Sequence, residues 1–303
     1  MQYDAIIVGG GPAGLSAALV LGRCRRRVLV CDAGHPRNEV SGGVHGYFTR
    51  DCIHPAELLR IGREQLKPYG VELRQAVVKD IQCGDEGFKV CLEDGTELRC
   101  RKVLLATGVR DRLPDIEGLK EMFGKSVHHC PYCDGWEWRD QPVAVYAPRH
   151  TGFGMALALR TTWTGDVALV TDGPSRLKPE QRAELQRFNI VVREQRVARF
   201  EGHDGMLERI VFVKGDPLPR RAVFLNTGFE QACEVSKQLG CSFTPKGVMQ
   251  ADKNEQTNIP GVYVAGDASR DVQMVIVAAA EGVKAAKAIN EELQREMRER
   301  FTA

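Results

Sequence analysis

The chain has 303 residues, 43% of them hydrophobic and 27% charged, with a formal net charge of +2. That length accommodates two domains of ordinary size, and a charge so near balance excludes an electrostatic case for nucleic acid or a membrane surface as partner. No apolar run reaches the roughly 18–20 residues that a bilayer span needs. The sequence opens directly on YDAIIVGG, which carries the expectation of no cleavable leader. Ten cysteines lie mostly singly, as Cys31, Cys91 and Cys100 do, and read as small buried hydrophobes rather than a disulfide framework. A reducing, cytoplasmic setting is therefore expected.

In chain order, DAIIVG (4–9) is a continuous apolar run, as in a parallel strand buried on both faces. GGGPAG (9–14) follows, then LSAALVLGR at helical spacing and RVLVCDAG (27–34), a second buried strand ending in an acid. This is a βαβ unit with glycines at its turn. KVLLATG (102–108) is another such strand. From about Val143 the pattern restarts with VAVYA, a helical GMALALRTTW and DVALVTDG, and AVFLNTG (222–228) closes that half. GVYVAGDASR (261–270) and a helix from about Val275 to Arg298 return to the first pattern. The expected fold class is α/β, with the second unit inserted in the first: 1–113 and 246–303 around 114–245.

Gly9, Gly11 and Gly14 match G-x-G-x-x-G between a strand and a helix. Such glycines serve a tight turn, close approach of a pyrophosphate to the backbone, and close helix-on-strand packing. The helix N-terminus meets phosphates with free N–H groups, and Asp32, 18 residues after Gly14, can accept from ribose hydroxyls. FAD rather than NAD is favoured by Asp267 in VYVAGDAS, which resembles the aspartate that bonds the ribityl or ribose part of FAD in flavoproteins of this architecture. The helix beginning near Met274 would aim its N-terminus at the flavin.

HHCPYCDGWE (128–137) holds the one closely spaced cysteine pair, Cys130 and Cys133. Zinc would need two further ligands, and His128 and His129 point to opposite faces of an extended segment. Those histidines read better as packing and hydrogen-bonding residues. Inert burial and a redox couple are the other readings of the cysteines. A thiol at the start of a helix has a stabilised thiolate, which suits exchange chemistry.

GGGPAG, ATG at 106–108, a CxxCDG loop and a late AGD, in this order and spacing, resemble the low-molecular-weight thioredoxin reductases over nearly the whole chain. The resemblance implies two Rossmann-like, three-layer ββα-type nucleotide-binding domains in a homodimer. Electrons would flow from FAD to the Cys130–Cys133 disulfide and on to a thioredoxin-like protein or a small disulfide. Cys133 would face the flavin, Cys130 would attack the partner, and Asp134 would hold and return the proton. FAD would contact Gly9, Gly11, Pro12, Ala13, Gly14, Asp32, Ala33, Asn38, His45, Thr107, Gly108, Gly266, Asp267, Gln273, Met274 and Val275. Tyr47 shares the stretch with His45 and is a further candidate, although a plain loop leading into a helix at Pro55 suits that stretch equally well.

One stretch departs from the family. GxGxxA, which holds NADPH, is replaced by Ala147, Pro148, Arg149, His150, Thr151 and Gly152. An arginine at the second glycine obstructs the pyrophosphate, and Pro148 lacks an N–H. Thr171-Asp172-Gly173 stands where basic residues would hold the 2′-phosphate. NADPH binding is therefore expected to be lost. The alternatives are a reductase fed by ferredoxin or by a second FAD in the degenerate site; a dithiol oxidase with oxygen as acceptor, like the enzymes that close disulfides in gliotoxin- or holomycin-type metabolites; an ordinary NAD(P)H-dependent thioredoxin reductase; or a non-catalytic flavin-binding protein. Asp134 favours the reductase, since those oxidases tend to carry His there.

Overall fold

The computed structural model describes residues 2–269 and 272–302. The chain divides into two compact units, Met1–Glu39, Tyr47–Arg110 and Phe229–Ala303 in one, Val40–Gly46 and Asp111–Gly228 in the other.

The first unit begins with β1 (Tyr3–Val8), α1 (Pro12–Arg23) and β2 (Val28–Asp32). It continues with α2 (Pro55–Leu66), β3 (Glu72–Gln75), β4 (Val78–Gly84), β5 (Gly87–Leu92) and β6 (Glu97–Leu105). The apolar runs are central strands: β1 and β2 are buried on both faces because helices cover one side and the antiparallel strands' layer the other. β3, β2, β1 and β6 are parallel neighbours in that order. The outer edge of β6 is shared. Its first half pairs antiparallel with β5, and Val103–Leu105 pair in parallel with the late strand Val262–Val264. The sequence showed only the second half of β6, because Glu97–Arg101 alternates and lacks the apolar run.

The C-terminal helix, Val275–Thr302, runs four residues past the expected Arg298. It packs along α1 through small residues: Ala13, Ala17 and Ala18 share a core with Ala278, Ala285 and Ala286. Gly282 marks the tightest approach, where a Cβ would lie 2.0 Å from the Ala13 carbonyl oxygen.

β7 (Val109–Asp111) leads out of the first unit. The second unit holds α3 (Leu119–Met122), β8 (Val127–His128), α4 (Pro131–Asp134), β9 (Val143–Tyr146), α5 (Phe153–Thr162) and β10 (Val167–Val170). α6 (Pro179–Arg187), β11 (Val191–Arg193), β12 (Val197–His203), β13 (Met206–Phe212), β14 (Leu218–Pro219) and β15 (Ala222–Leu225) complete it. Five parallel strands run β11-β10-β9-β15-β8, and β12-β13-β14 form a separate antiparallel layer.

The units change over at 110/111 and 228/229, against the 113/114 and 245/246 expected from the sequence. Packing explains the second difference. Val235 and Cys241 are buried in the same core as Ile81, Phe88 and Val90 of the first unit. Val40–Gly46 joins the second unit because Gly124, at φ +82°, closes onto the Val40 carbonyl, where a Cβ would lie 2.5 Å away. Among the described residues, no helix is long and apolar enough to cross a membrane.

Candidate active site

Parallel register in the first unit sets Cys31, Val8, Leu105 and Val264 in one row across the sheet. Gly9, Asp32, Ala106–Gly108 and Ala265–Asp267 therefore emerge along one edge, the C-terminal crevice where open α/β sheets take ligands. The glycines divide their work. Gly9 has φ +109°, and a Cβ there would lie 2.2 Å from the Ala106 carbonyl oxygen. At Gly14 a Cβ would meet the Gly9 carbonyl at 1.9 Å, whereas at Gly11 it would meet nothing within 4 Å. The first and third glycines are required by the fold, and the second leaves room for a ligand. Gly10 is also needed, since its Cβ would sit 2.5 Å from Asp32 Oδ2; the GGG run was the signal for it.

Pro12 opens α1 at its first position, after extended Gly11, where the missing N–H costs nothing. Asp32 accepts from the Gly34 N–H at 3.2 Å and from Arg63 at 3.0 Å. Arg37 donates to Asp267 Oδ2 at 2.8 Å and to Gln273 Oε1 at 2.7 Å. The Gly266 N–H donates to buried Glu281 at 2.8 Å. Arg63, Arg37 and Glu281 were not singled out from the sequence, because isolated charges in a loop or helix carry no local signal of a distant partner.

Thr107 Oγ1 and Gln273 Nε2 are buried and have no hydrogen-bond partner among the described residues. Buried polar atoms are rarely left so. With the open side of Gly11 and the carboxylate of Asp32, they fit a dinucleotide such as FAD laid along this edge. Ala33 is exposed, Asn38 and Met274 are half-buried, and Val275 begins the last helix. His45 belongs to the second unit, where its Nδ1 lies 3.8 Å from Glu137.

In the second unit, Cys130 and Cys133 are joined in a disulfide with Cα atoms 5.2 Å apart. Cys130 is the N-cap of α4, a single turn with Pro131 at its first position. The Cys133 N–H donates to Cys130 Sγ at 3.1 Å, and the Asp134 N–H to the Cys130 carbonyl at 3.1 Å. Gly135 keeps the turn close to its neighbours, since a Cβ would lie 2.8 Å from the Trp163 ring. Tyr132, between the two cysteines in sequence, and Trp136, three residues beyond Cys133, are 73% and 64% exposed. Tyr132 meets Trp163 edge-on, and the Arg139 guanidinium lies 4.3 Å from the Trp136 ring centre.

Behind this turn, His128 is buried on β8. Its Nε2 accepts from the Trp138 indole N–H at 2.9 Å, and its Nδ1 lies 3.4 Å from Asp134 Oδ1. His129 takes a different direction, with Nδ1 3.8 Å from Asp111.

The crevice of the parallel sheet in this unit is differently furnished. Ala147 is fully buried and hydrogen-bonded to Val170, and Arg149 adopts a left-handed φ of +62°. The Asn226 side chain donates to the Thr151 carbonyl at 2.7 Å. Asp172 accepts from the Tyr146 hydroxyl at 2.8 Å and from the Val197 N–H at 2.7 Å. Burial, reinforced by that carboxylate, holds the Tyr146 hydroxyl protonated well above its ordinary range.

Comparison with known proteins agrees with this arrangement. Residues 3–282 match the pyridine nucleotide-disulphide oxidoreductase family. A protein of Arthroderma benhamiae named "Probable thioredoxin reductase" is 32% identical over 331 residues, spanning 98% of this chain and 82% of its own. The thioredoxin reductase of Aquifex aeolicus is 27% identical over 312 residues, 95% of this chain and 92% of its own. The solved structure of TrxB from Bacillus anthracis, 33% identical, superposes with a TM-score of 0.92 over 98% of this chain and 100% of that one. The match spans both units in sequence and fold alike, and the chain belongs to the pyridine nucleotide-disulphide oxidoreductases, as a thioredoxin reductase-like FAD enzyme.

Proposed function

We propose that the chain is an FAD-dependent dithiol/disulfide oxidoreductase that works through Cys130 and Cys133 on a partner disulfide and draws its electrons from a donor other than NADPH. Bound FAD supplies a two-electron couple; Gly9–Gly14, Asp32, Thr107, Asp267 and Gln273 would hold it. In the reductive direction Asp134 takes the proton of the Cys130 thiol. Cys130 then attacks one sulfur of the partner: a Cys130–sulfur bond forms, the partner S–S bond breaks, and the leaving thiolate receives the proton from Asp134. Cys133 next attacks Cys130 Sγ, which restores the Cys130–Cys133 disulfide and releases the second partner thiolate, while its own proton passes through water to that thiolate. Two enzyme thiols are oxidised and one partner disulfide is reduced.

The observation that carries the donor assignment is the crevice of the second unit. Arg149 stands where a glycine would admit a pyrophosphate. Asp172, an anion engaged by Tyr146 and Val197, stands where a 2′-phosphate would need a cation. An anaerobic titration tests this, following flavin absorbance with NADPH, NADH and reduced ferredoxin in turn. Ferredoxin is expected to bleach the flavin and NADPH to leave it oxidised; rapid bleaching by NADPH sinks the proposal. Bleaching by a small dithiol alone, reversed by oxygen, would assign the chain to dithiol oxidation instead. Cofactor extraction yielding two FAD per chain would place the second in the Arg149 crevice.

A further inference from the structure

The buried histidine behind the disulfide turn has a role beyond packing. We propose that His128 is a positioning residue for Asp134, locked in a single tautomer by Trp138. This rests on the proton role proposed above for Asp134.

Three contacts carry it. The Trp138 indole nitrogen is a donor only, so the 2.9 Å bond to Nε2 requires that nitrogen to be the acceptor. The neutral ring then carries its proton on Nδ1, the nitrogen 3.4 Å from Asp134 Oδ1. The ring itself cannot turn freely. It lies 5.7 Å from the Phe224 ring centre, and β8 pairs with β15 at His128 and Phe224. His128 is 7% exposed and the Asp134 side chain 16%, so water competes weakly for the carboxylate. The result places the protonated ring nitrogen 3.4 Å from the carboxylate that must take and return a proton next to Cys133. A donor so placed steadies the carboxylate, compensates part of its charge, and holds it in one orientation through the exchange. Because the orienting bond comes from Trp138, four residues beyond Asp134, the CxxCDG turn and its proton-handling support form one local unit.

The test reads the two thiols directly. Reduced full-length protein is alkylated with iodoacetamide from pH 5 to 10, and the peptide carrying Cys130 and Cys133 is followed by mass spectrometry, separating it from the other cysteines. Wild type is compared with His128→Phe, which keeps ring volume but loses Nδ1–H, with His128→Asn, whose amide can return a donor, and with Trp138→Phe. Each is also made with Asp134→Asn. With the carboxylate charge uncompensated, the pH of half-maximal alkylation is expected to rise by about half a unit or more in His128→Phe. It should rise less in Trp138→Phe, return toward wild type in His128→Asn, and be unmoved by any of the three when Asp134 is Asn. An unshifted profile in His128→Phe, or the same shift with and without Asp134, overturns the positioning role. An Asp134→Asn profile identical to wild type instead removes the proton role on which it rests. Should His128→Phe not fold, Trp138→Phe and His128→Asn decide the matter by the same criteria.

Discussion

The Arg37 guanidinium holds the Asp267 carboxylate at 2.8 Å, across 230 residues of sequence. The pair is largely buried, at 13% and 21% side-chain exposure, and the same arginine reaches Gln273. It ties the loop after β2 to the segment preceding the last helix. Replacing Arg37 by Ala frees both acceptors, and a charge-assisted bond of this kind contributes about 1.5–3 kcal/mol. Flavin affinity, read from the fluorescence of released FAD, should fall roughly tenfold or more; unchanged affinity would show that Asp267 needs no anchor.

The glycines of the first loop should separate stability from binding. Gly9→Ala puts a Cβ 2.2 Å from the Ala106 carbonyl at a φ of +109°, so the cost is expected at about 2 kcal/mol or more, seen as a lower thermal midpoint. Gly11→Val meets open space. It should leave the apoprotein midpoint nearly unchanged while FAD retention collapses. If Gly11→Val destabilises the apoprotein as much as Gly9→Ala does, the division of labour is wrong.

Cys133→Ser should keep FAD bound and abolish electron transfer between flavin and the disulfide, because the cradle and the redox turn lie on different units. Cys130→Ser should also block turnover of the partner. Normal turnover by the Cys133→Ser enzyme would end the assignment.

Asp172 accepts from Tyr146 and Val197 and lies 3.7 Å from Arg196 Nε, and its removal should be felt in stability rather than in flavin content. Asp172→Ala leaves the Tyr146 hydroxyl and the Val197 N–H without their acceptor, at about 1–3 kcal/mol for each group that water fails to reach. Urea unfolding is expected to show the loss, and Asp172→Asn to recover part of it. The Tyr146 hydroxyl should titrate at lower pH in Asp172→Ala.

Glu194 supplies an acid-sensitive contact. Hydrogen bonds from Ser175, then from Arg182, draw its pKa down from 4.5 to about 2. A folded pKa below the unfolded one stabilises above the unfolded value and loses that contribution as pH falls toward the folded one. The stability difference between wild type and Glu194→Gln should therefore be full above pH 4.5 and shrink steadily toward pH 2. With the Glu194 side chain 42% exposed, screening keeps it to about 1 kcal/mol or less. A difference independent of pH between 2 and 6 would exclude this origin.

Much of this architecture is legible without coordinates, for a local reason. A turn that tolerates only glycine, a strand buried on both faces and a proline at a helix start are each specified within about six residues. Hence Gly9, Gly11 and Gly14, the strands around them, and the Cys130–Cys133 turn can all be read from sequence, and so can the loss of glycines at Ala147 and Arg149. Unit membership shows the limit: the sequence places Val40–Gly46 within the first unit, yet Gly124 closing on Val40 groups that stretch with the second.

The sequence by itself determined two nucleotide-type units, the crevice glycines and the redox turn, because these depend on backbone conformation and short-range spacing. Only the tertiary structure decided that Arg37 bonds Asp267, that Glu281 accepts from the Gly266 N–H, that residues 229–245 join the first unit, and that Trp138 donates to His128. Those partners are chosen by strand register and helix packing, which sum many weak contacts spread along the chain, and no short stretch of residues encodes such a sum.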